Sequence, residues 1–322
     1  MSLHTRLRRF AEFKSRFTVV GDYPLIAVHK IDEELFAKLQ HAISVYMSKC
    51  LPDQKLFTDE QSILREFGRL RSVDRGCIKN CTPNGMLVPK NYTILEYNAV
   101  VQAYAAIIES LNANDFIDSW HVPLNVRYKD GEVVQENMTR HHPTEHIHSD
   151  AWAGESPASV TTILPILGDA ENNYVQFYAP PPDFEEDWLK PRPTYQDGAD
   201  IAAKYTRIDV PFMKGHIYLA DFATLHSSSR RPGSQARVSI DTTFALARSN
   251  EELAAAEKRM HEWRKEERAT QRDLFDVGKT KLFVFPDSAD HQVDSRGGFK
   301  HPTTLKLIEI LPTSVPASTA AA

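Results

Sequence analysis

Cysteine is scarce in this 322-residue chain: Cys50, Cys77 and Cys81 are the whole complement. An odd number gives no complete disulfide framework. The four-residue step from Cys77 to Cys81, with no second pair downstream, is a poor zinc pattern. The three are expected to be reduced thiols in a cytoplasmic protein. Long apolar runs are missing as well. No stretch reaches the roughly eighteen apolar residues that a membrane-spanning helix needs, and polar residues interrupt the basic N-terminus, so no signal peptide is expected. Positive charge is not in excess. Lys and Arg number 38 against 43 Asp and Glu, a formal net charge of −5, which argues against a nucleic-acid surface as the main function. The basic run Arg6-Leu7-Arg8-Arg9 reads as solvated. No internal repeat is visible.

What is present is an ordinary globular composition, 42% hydrophobic and 25% charged, at a length that supports a sizeable core. The pattern divides one expected domain into three parts. Residues 1–118 read as mainly helical. Asp32 can cap a helix through Ile43 that Pro52 ends, a short helix fits 59–70, and 71–92 is a loop rich in Gly and Pro. Leu95–Leu111 has apolar residues at helical spacing. From Trp120 the pattern changes to strands. His121–Tyr128 alternates, Lys129–Glu132 signals a turn before a second strand, and further strands fit 160–167, 174–178, 205–210, 216–220 and 238–246. A proline-rich segment, 179–193, is too long for a tight turn and is expected to lie over or beside a site. Residues 249–322 read as a long charged helix, Asn250–Arg272, and a tail, with 312–322 frayed. The expected fold is mainly β with flanking helices (α+β): a double-sheet jelly roll, cupin-like, carried by 119–248, with a helical N-terminal third packed outside it.

The chemistry concentrates in His146-Ile147-His148-Ser149-Asp150 and in a run ending at His226. Two imidazoles and one carboxylate fill one face of an octahedron around Fe(II) and leave three positions open. On a strand, alternation would send His148 and Asp150 to the same face, with His226 arriving from a distant strand. His146 in place of His148 would break the His-x-Asp spacing and ranks below it. His141 and His142 are expected to be solvent-facing or hydrogen-bonded. Eleven residues beyond His226 stands Arg237, followed by Ser239. Two apart on a strand, they point the same way and form a fork suited to one carboxylate. The competing role for Arg237 is a salt bridge to Asp241. Arg230 and Arg231 sit in a Ser-rich, Pro-Gly stretch and read as solvated, or as contacts to an acidic substrate.

His-x-Asp, a distant His, and Arg-x-Ser in that order resemble the Fe(II)/2-oxoglutarate-dependent oxygenases. The segment His148–Gly154, with Ile163-Leu164-Pro165 and Asn172-Asn173-Tyr174, is similar to a bacterial branch met in carbohydrate and natural-product gene clusters. The resemblance spans roughly 120–246. It implies a double-stranded β-helix, with His148, Asp150 and His226 as ligands of Fe(II). Arg237 and Ser239 would hold the 5-carboxylate of 2-oxoglutarate. It also implies consumption of O₂, conversion of 2-oxoglutarate to succinate and CO₂, and oxidation of an unactivated C–H bond, with hydroxylation foremost. The retained Asp150 argues against halogenation.

Asn173 is a candidate for the cosubstrate's 1-carboxylate or for a turn cap. Arg127, Tyr128, Asn125, His146 and Trp152 are candidate substrate contacts, with core packing favoured for Trp152. The expected partner is a small polar molecule: a sugar, an amino acid or a natural-product intermediate. Neither nucleic acid nor membrane is expected, and assembly into homo-oligomers is left open. The alternatives are a cupin-type metal enzyme without 2-oxoglutarate, which would have no use for Arg237 and Ser239, and a non-catalytic binding protein on the same fold.

Overall fold

The structure, a computed structural model, describes residues 1–246 apart from 83, 114, 115, 123, 139 and 158, together with three short strands further on. The charged helix expected over Asn250–Arg272 and the tail expected over 312–322 lie outside the described residues.

Four helices build a layer from the first third of the chain: α1 (Leu3–Lys14), α2 (Glu33–Cys50), α3 (Glu60–Val73) and α4 (Ile94–Ser110). Asp32 caps α2 by accepting from the amides of Glu34 and Leu35, and Asp59 caps α3 by accepting from Ser62. The apolar stripe of α2 (Leu39, Ile43, Tyr46, Met47) packs against that of α4 (Tyr97, Val101, Tyr104, Ile108). Two phenols reach polar partners from this apolar layer: Tyr97 donates to the carbonyl of Leu124, and Tyr104 to the hydroxyl of Thr162. The first helix corrects the reading of its basic run. Arg6 is 1% exposed and donates to Asp221 at 2.8 Å and to the carbonyl of Pro157 at 3.0 Å. It lies on the same buried face as Phe10 and Phe13.

The strands are β1 (Ile26–Lys30), β2 (Met86–Leu87), β3 (Ile117–Val122), β4 (Asn125–Lys129), β5 (Ser159–Gly168), β6 (Asn173–Ala179), β7 (Thr206–Ile208), β8 (His216–Asp221), β9 (Leu225–Arg230), β10 (Arg237–Leu246), β11 (Asp273–Asp276), β12 (Lys281–Val284) and β13 (Lys306–Glu309). Two further short helices are α5 (Gln135–Met138) and α6 (Ala199–Ala202). The large sheet runs β1-β8-β5-β10-β3-β11, with β4 also on β10 and β2 on β4. The small sheet runs β7-β6-β9, and β12 pairs with β13. Every pairing is antiparallel. The single strand expected over 121–128 is two, β3 ending at Val122 and β4 beginning at Asn125. The strand expected after Lys129–Glu132 is absent, and α5 follows instead. No helix among the described residues is long and apolar enough to cross a membrane.

Period-2 alternation decides what each strand of the large sheet shows to each side. Val126 and Tyr128 on β4, Leu164 and Ile166 on β5, Ile217 and Leu219 on β8, and Val238 and Ile240 on β10 face the helices. Their neighbours face the small sheet. On β1 and β8 these are Ile26, Val28, Tyr218 and Ala220, which meet Val175 and Phe177 of β6. On β4, β5 and β10 they are Asn125, Arg127, Thr161, Ile163, Arg237, Ser239 and Asp241, which line a cavity. One end of the inter-sheet space is therefore apolar packing and the other is polar. The register of β10 on β5 shifts between Val238 and Ser239, opposite Pro165, which has no N–H for the ladder. At the end of this pairing Gly168 has φ +83°, and a Cβ there would lie 2.1 Å from the carbonyl oxygen of Ala236, so only glycine fits.

Candidate metal centre

His148 and His226 meet where the chain crosses the edge of the small sheet. Each donates its amide to the other's carbonyl, at 3.0 and 2.9 Å, and their rings lie 4.3 Å apart. His226 belongs to β9, paired with Phe177 of β6. The route by which Asp150 joins them differs from the expected one. His148 makes only an isolated bridge, and Asp150 opens a 3₁₀ turn, Asp150–Ala153, capped by the hydroxyl of Ser149. A helical turn, not strand alternation, aims the carboxylate. Ser149 is locked by donating to the carbonyl of Phe222 at 2.8 Å.

One donor atom from each of His148, Asp150 and His226 lies within 4.8 Å of the others. The Nε2 atoms of both histidines are 3.9 Å from Oδ1 of Asp150. Two donors bonded to one ion at about 2.1 Å each can be no more than roughly 4.2 Å apart, so each imidazole can share an ion with the carboxylate. The protonation states suit the same end. Nδ1 of His148 lies 2.7 Å from the carbonyl of His146. A carbonyl can only accept, so Nδ1 carries the proton and Nε2 presents its lone pair to the cavity. Burial, and next the neighbouring His226, holds the His148 imidazole well below its usual range, so it is neutral. Thr161 on β5 donates its hydroxyl to Oδ2 of Asp150, which leaves Oδ1 toward the histidines. Thr161→Val removes that donor at little change in shape. We expect iron affinity to fall by about 10- to 100-fold, with the melting temperature changed little, as read by metal titration beside thermal denaturation.

The triad opens into a cavity of about 320 Å³. Arg237 lines it, 2% exposed. Its Nη1 donates to the main-chain carbonyl of Asn173 at 3.0 Å, its Nε is buried with no partner, and its guanidinium stacks 5.1 Å over Phe212. Among the described residues no carboxylate pairs with it. Asp241, the competing partner considered for it, is taken by Arg127 in a two-pronged contact at 2.8 and 3.0 Å, with Asn125 donating to the same carboxylate. Burial, then the nearby Arg230, pushes the Arg237 guanidinium down to about 9. A buried cation in that position calls for an anion from outside the chain. Ser239, on the same face of β10, also lines the cavity.

The other expected site residues divide. Arg127 is on the wall, while alternation turns Tyr128 to the opposite face, against Phe67 at 5.1 Å. Asn173 does not line the cavity. Its amide donates to three main-chain carbonyls, those of Lys129, Asp130 and Gln235. Trp152 is core, with its indole N–H donating to the carbonyl of Trp188. His146 gives the triad only its carbonyl, and its side chain lines a separate outer hollow. Arg230 is not solvated: β9 continues through it, and period 2 puts it on the same side as His226 and Ser228. There it meets Glu145 at 3.3 Å.

Three features had no sequence signal strong enough to be found. Tyr195, just past the proline-rich segment, stacks on His148 with ring centres 4.0 Å apart and planes 18° from parallel. Asp241 holds Arg127. Glu145 joins Lys129 (3.2 Å) and Arg230 in a buried cluster below the site. Despite burial, the two cations hold the Glu145 carboxyl down at about 2. Glu145→Gln removes the one carboxylate shared by Arg230 and Lys129, whose ammonium burial already pushes down to about 7, and should cost about 3–5 kcal/mol, a fall in melting temperature on the order of 10 °C. The folded value lies below the unfolded one, roughly 4.3. The carboxylate's contribution is thus complete above about pH 4.5 and fades as pH drops toward 2. The gap between wild type and variant in denaturant titrations should shrink over that window.

No protein-family model matches the chain, and no curated protein does. Among solved structures it is similar to the non-haem α-ketoglutarate-dependent epimerase SnoN from nogalamycin biosynthesis, at 14% identity and a TM-score of 0.38, covering 75% of this chain and 83% of that one. The same epimerase in complex with Fe³⁺, α-ketoglutarate and nogalamycin RO gives 13% and 0.36, over 75% and 84%. An N-substituted L-amino acid dioxygenase from Burkholderia ambifaria gives 12% and 0.33, over 67% and 81%. Similarity at this level assigns no activity to the chain.

Proposed function

We propose that this protein is an Fe(II)/2-oxoglutarate-dependent oxygenase built on a double-stranded β-helix, and that it hydroxylates an unactivated C–H bond of a small polar metabolite. The observation that carries the reading is one cavity holding both a two-His, one-carboxylate triad and an unpaired buried guanidinium. Each alone has other uses. Together they suit a metal and a dicarboxylic acid that chelates it.

His148, Asp150 and His226 would hold the iron, and Arg237 with Ser239 would hold the 5-carboxylate of 2-oxoglutarate. Iron with 2-oxoglutarate supplies activation of O₂ and removal of a hydrogen atom from substrate. The chain's own part is positional. The hydrogen bond from Thr161 aims Asp150, that to the His146 carbonyl fixes the His148 tautomer, and Tyr195 walls off one face of the imidazole from water. The retained carboxylate at 150 supports hydroxylation over halogenation. Three cysteines with no disulfide between them support a cytoplasmic setting.

The test is succinate formation from 2-oxoglutarate by purified protein. It should require both Fe(II) and O₂ and stop on chelation of the metal. Metal-dependent turnover of a substrate with 2-oxoglutarate untouched would contradict the reading and favour a cupin-type enzyme.

A further inference from the structure

The cavity wall carries three guanidinium groups, and their partners differ. Arg127 is neutralised by Asp241. Arg237 lies deep, where the cosubstrate would satisfy it. Arg140 is half-buried on the wall, and no hydrogen bond or ion pair ties it among the described residues. Glu145, a carboxylate that acts on it, is already shared by Lys129 and Arg230. Burial and the neighbouring Arg127 both disfavour its charge, so an arriving anion would gain from it more than from a solvated arginine.

Two positive charges on iron and one on Arg237 are balanced by Asp150 and the two carboxylates of 2-oxoglutarate. The Arg127–Asp241 pair adds nothing. Arg140 and the buried Glu155 are then the two remaining charges on the wall of a cavity of about 320 Å³, at the small end for ligand sites. A single guanidinium fork matches one planar carboxylate, whereas a phosphate dianion would want further donors.

We propose that Arg140 binds the substrate through a carboxylate, and that the substrates are small polar carboxylic acids whose C–H bond is presented to the His148–Asp150–His226 face. This inference rests on the metal-site reading above. It is tested on the anaerobic protein loaded with Fe(II) and 2-oxoglutarate, by following the visible absorption band of that complex. The probes are acids paired with their primary amides: D-glucuronate and D-glucuronamide, N-acetyl-L-leucine and its amide, 3-hydroxybutyrate and its amide.

At least one acid should shift the band, with its amide needing about tenfold more or failing altogether. Arg140→Gln should form the band normally but raise the acid's half-saturating concentration about tenfold or more, and Arg140→Lys should recover part of the loss. Amides as effective as acids, no response to any acid, or unchanged acid binding in Arg140→Gln would overturn the proposal alone. Wild-type protein that never forms the band would overturn the metal reading and this inference with it.

Discussion

Replacing Asp150 with alanine should abolish stoichiometric iron binding and, with it, all succinate formation. The carboxylate supplies the one anionic ligand of the three and lies 3.9 Å from both imidazole donors. Losing even a hydrogen-bonding partner of a ligand costs about 10- to 100-fold in metal affinity, so losing the ligand itself should cost at least 100-fold. The fold should tolerate the change. Asp150 is partly exposed, and its carboxylate accepts a hydrogen bond from the hydroxyl of Thr161, so the melting temperature of the metal-free protein should stay within a few degrees. Metal analysis of anaerobically reconstituted protein gives the answer. An alanine variant that holds one iron per chain would mean that the ion sits elsewhere.

Arg237→Gln should act on the other half of the site. Truncating one partner of a buried, hydrogen-bonded charge pair costs about 2–5 kcal/mol, so the KM for 2-oxoglutarate should rise on the order of 10²- to 10³-fold while iron affinity holds. A second effect has the opposite sign. Without cosubstrate the wild-type guanidinium is buried and unpaired, so removing its charge should leave the apo protein as stable as before, or more so. Added 2-oxoglutarate should then stabilise wild type but not the variant in thermal melts. A variant with an unchanged KM, or one that melts far below wild type without ligand, would give Arg237 a structural role instead.

The convergence of His148, Asp150 and His226, with Arg237 in the same cavity, was legible because residue chemistry narrows the choice. Few side chains suit a metal ion, and a guanidinium beside Val238 and Ile240 on one strand stood out as a charge set among apolar neighbours. Helix boundaries near Asp32 and Asp59 were equally plain, since capping is local. What was not legible depends on the third dimension. Strand alternation was the expected reason for His148 and Asp150 converging, yet the chain leaves the strand at Ser149 and a 3₁₀ turn does the aiming. The same alternation, correctly phased, would have placed Arg127 in the cavity and Tyr128 in the core. It would also have carried Arg230 inside, had β9 not looked like a loop for its three serines. Tyr195, Glu145 and Asp241 meet His148, Arg230 and Arg127 across 47, 85 and 114 residues of sequence, separations that no local pattern encodes.

The most direct test is an anaerobic titration of the metal-free protein with Fe(II) and 2-oxoglutarate, followed by visible absorption. A weak charge-transfer band saturating at one iron and one 2-oxoglutarate per chain, absent in Asp150→Ala and needing far more 2-oxoglutarate in Arg237→Gln, is the predicted result. Folded wild-type protein that binds no iron, or binds it without developing the band, would contradict the account.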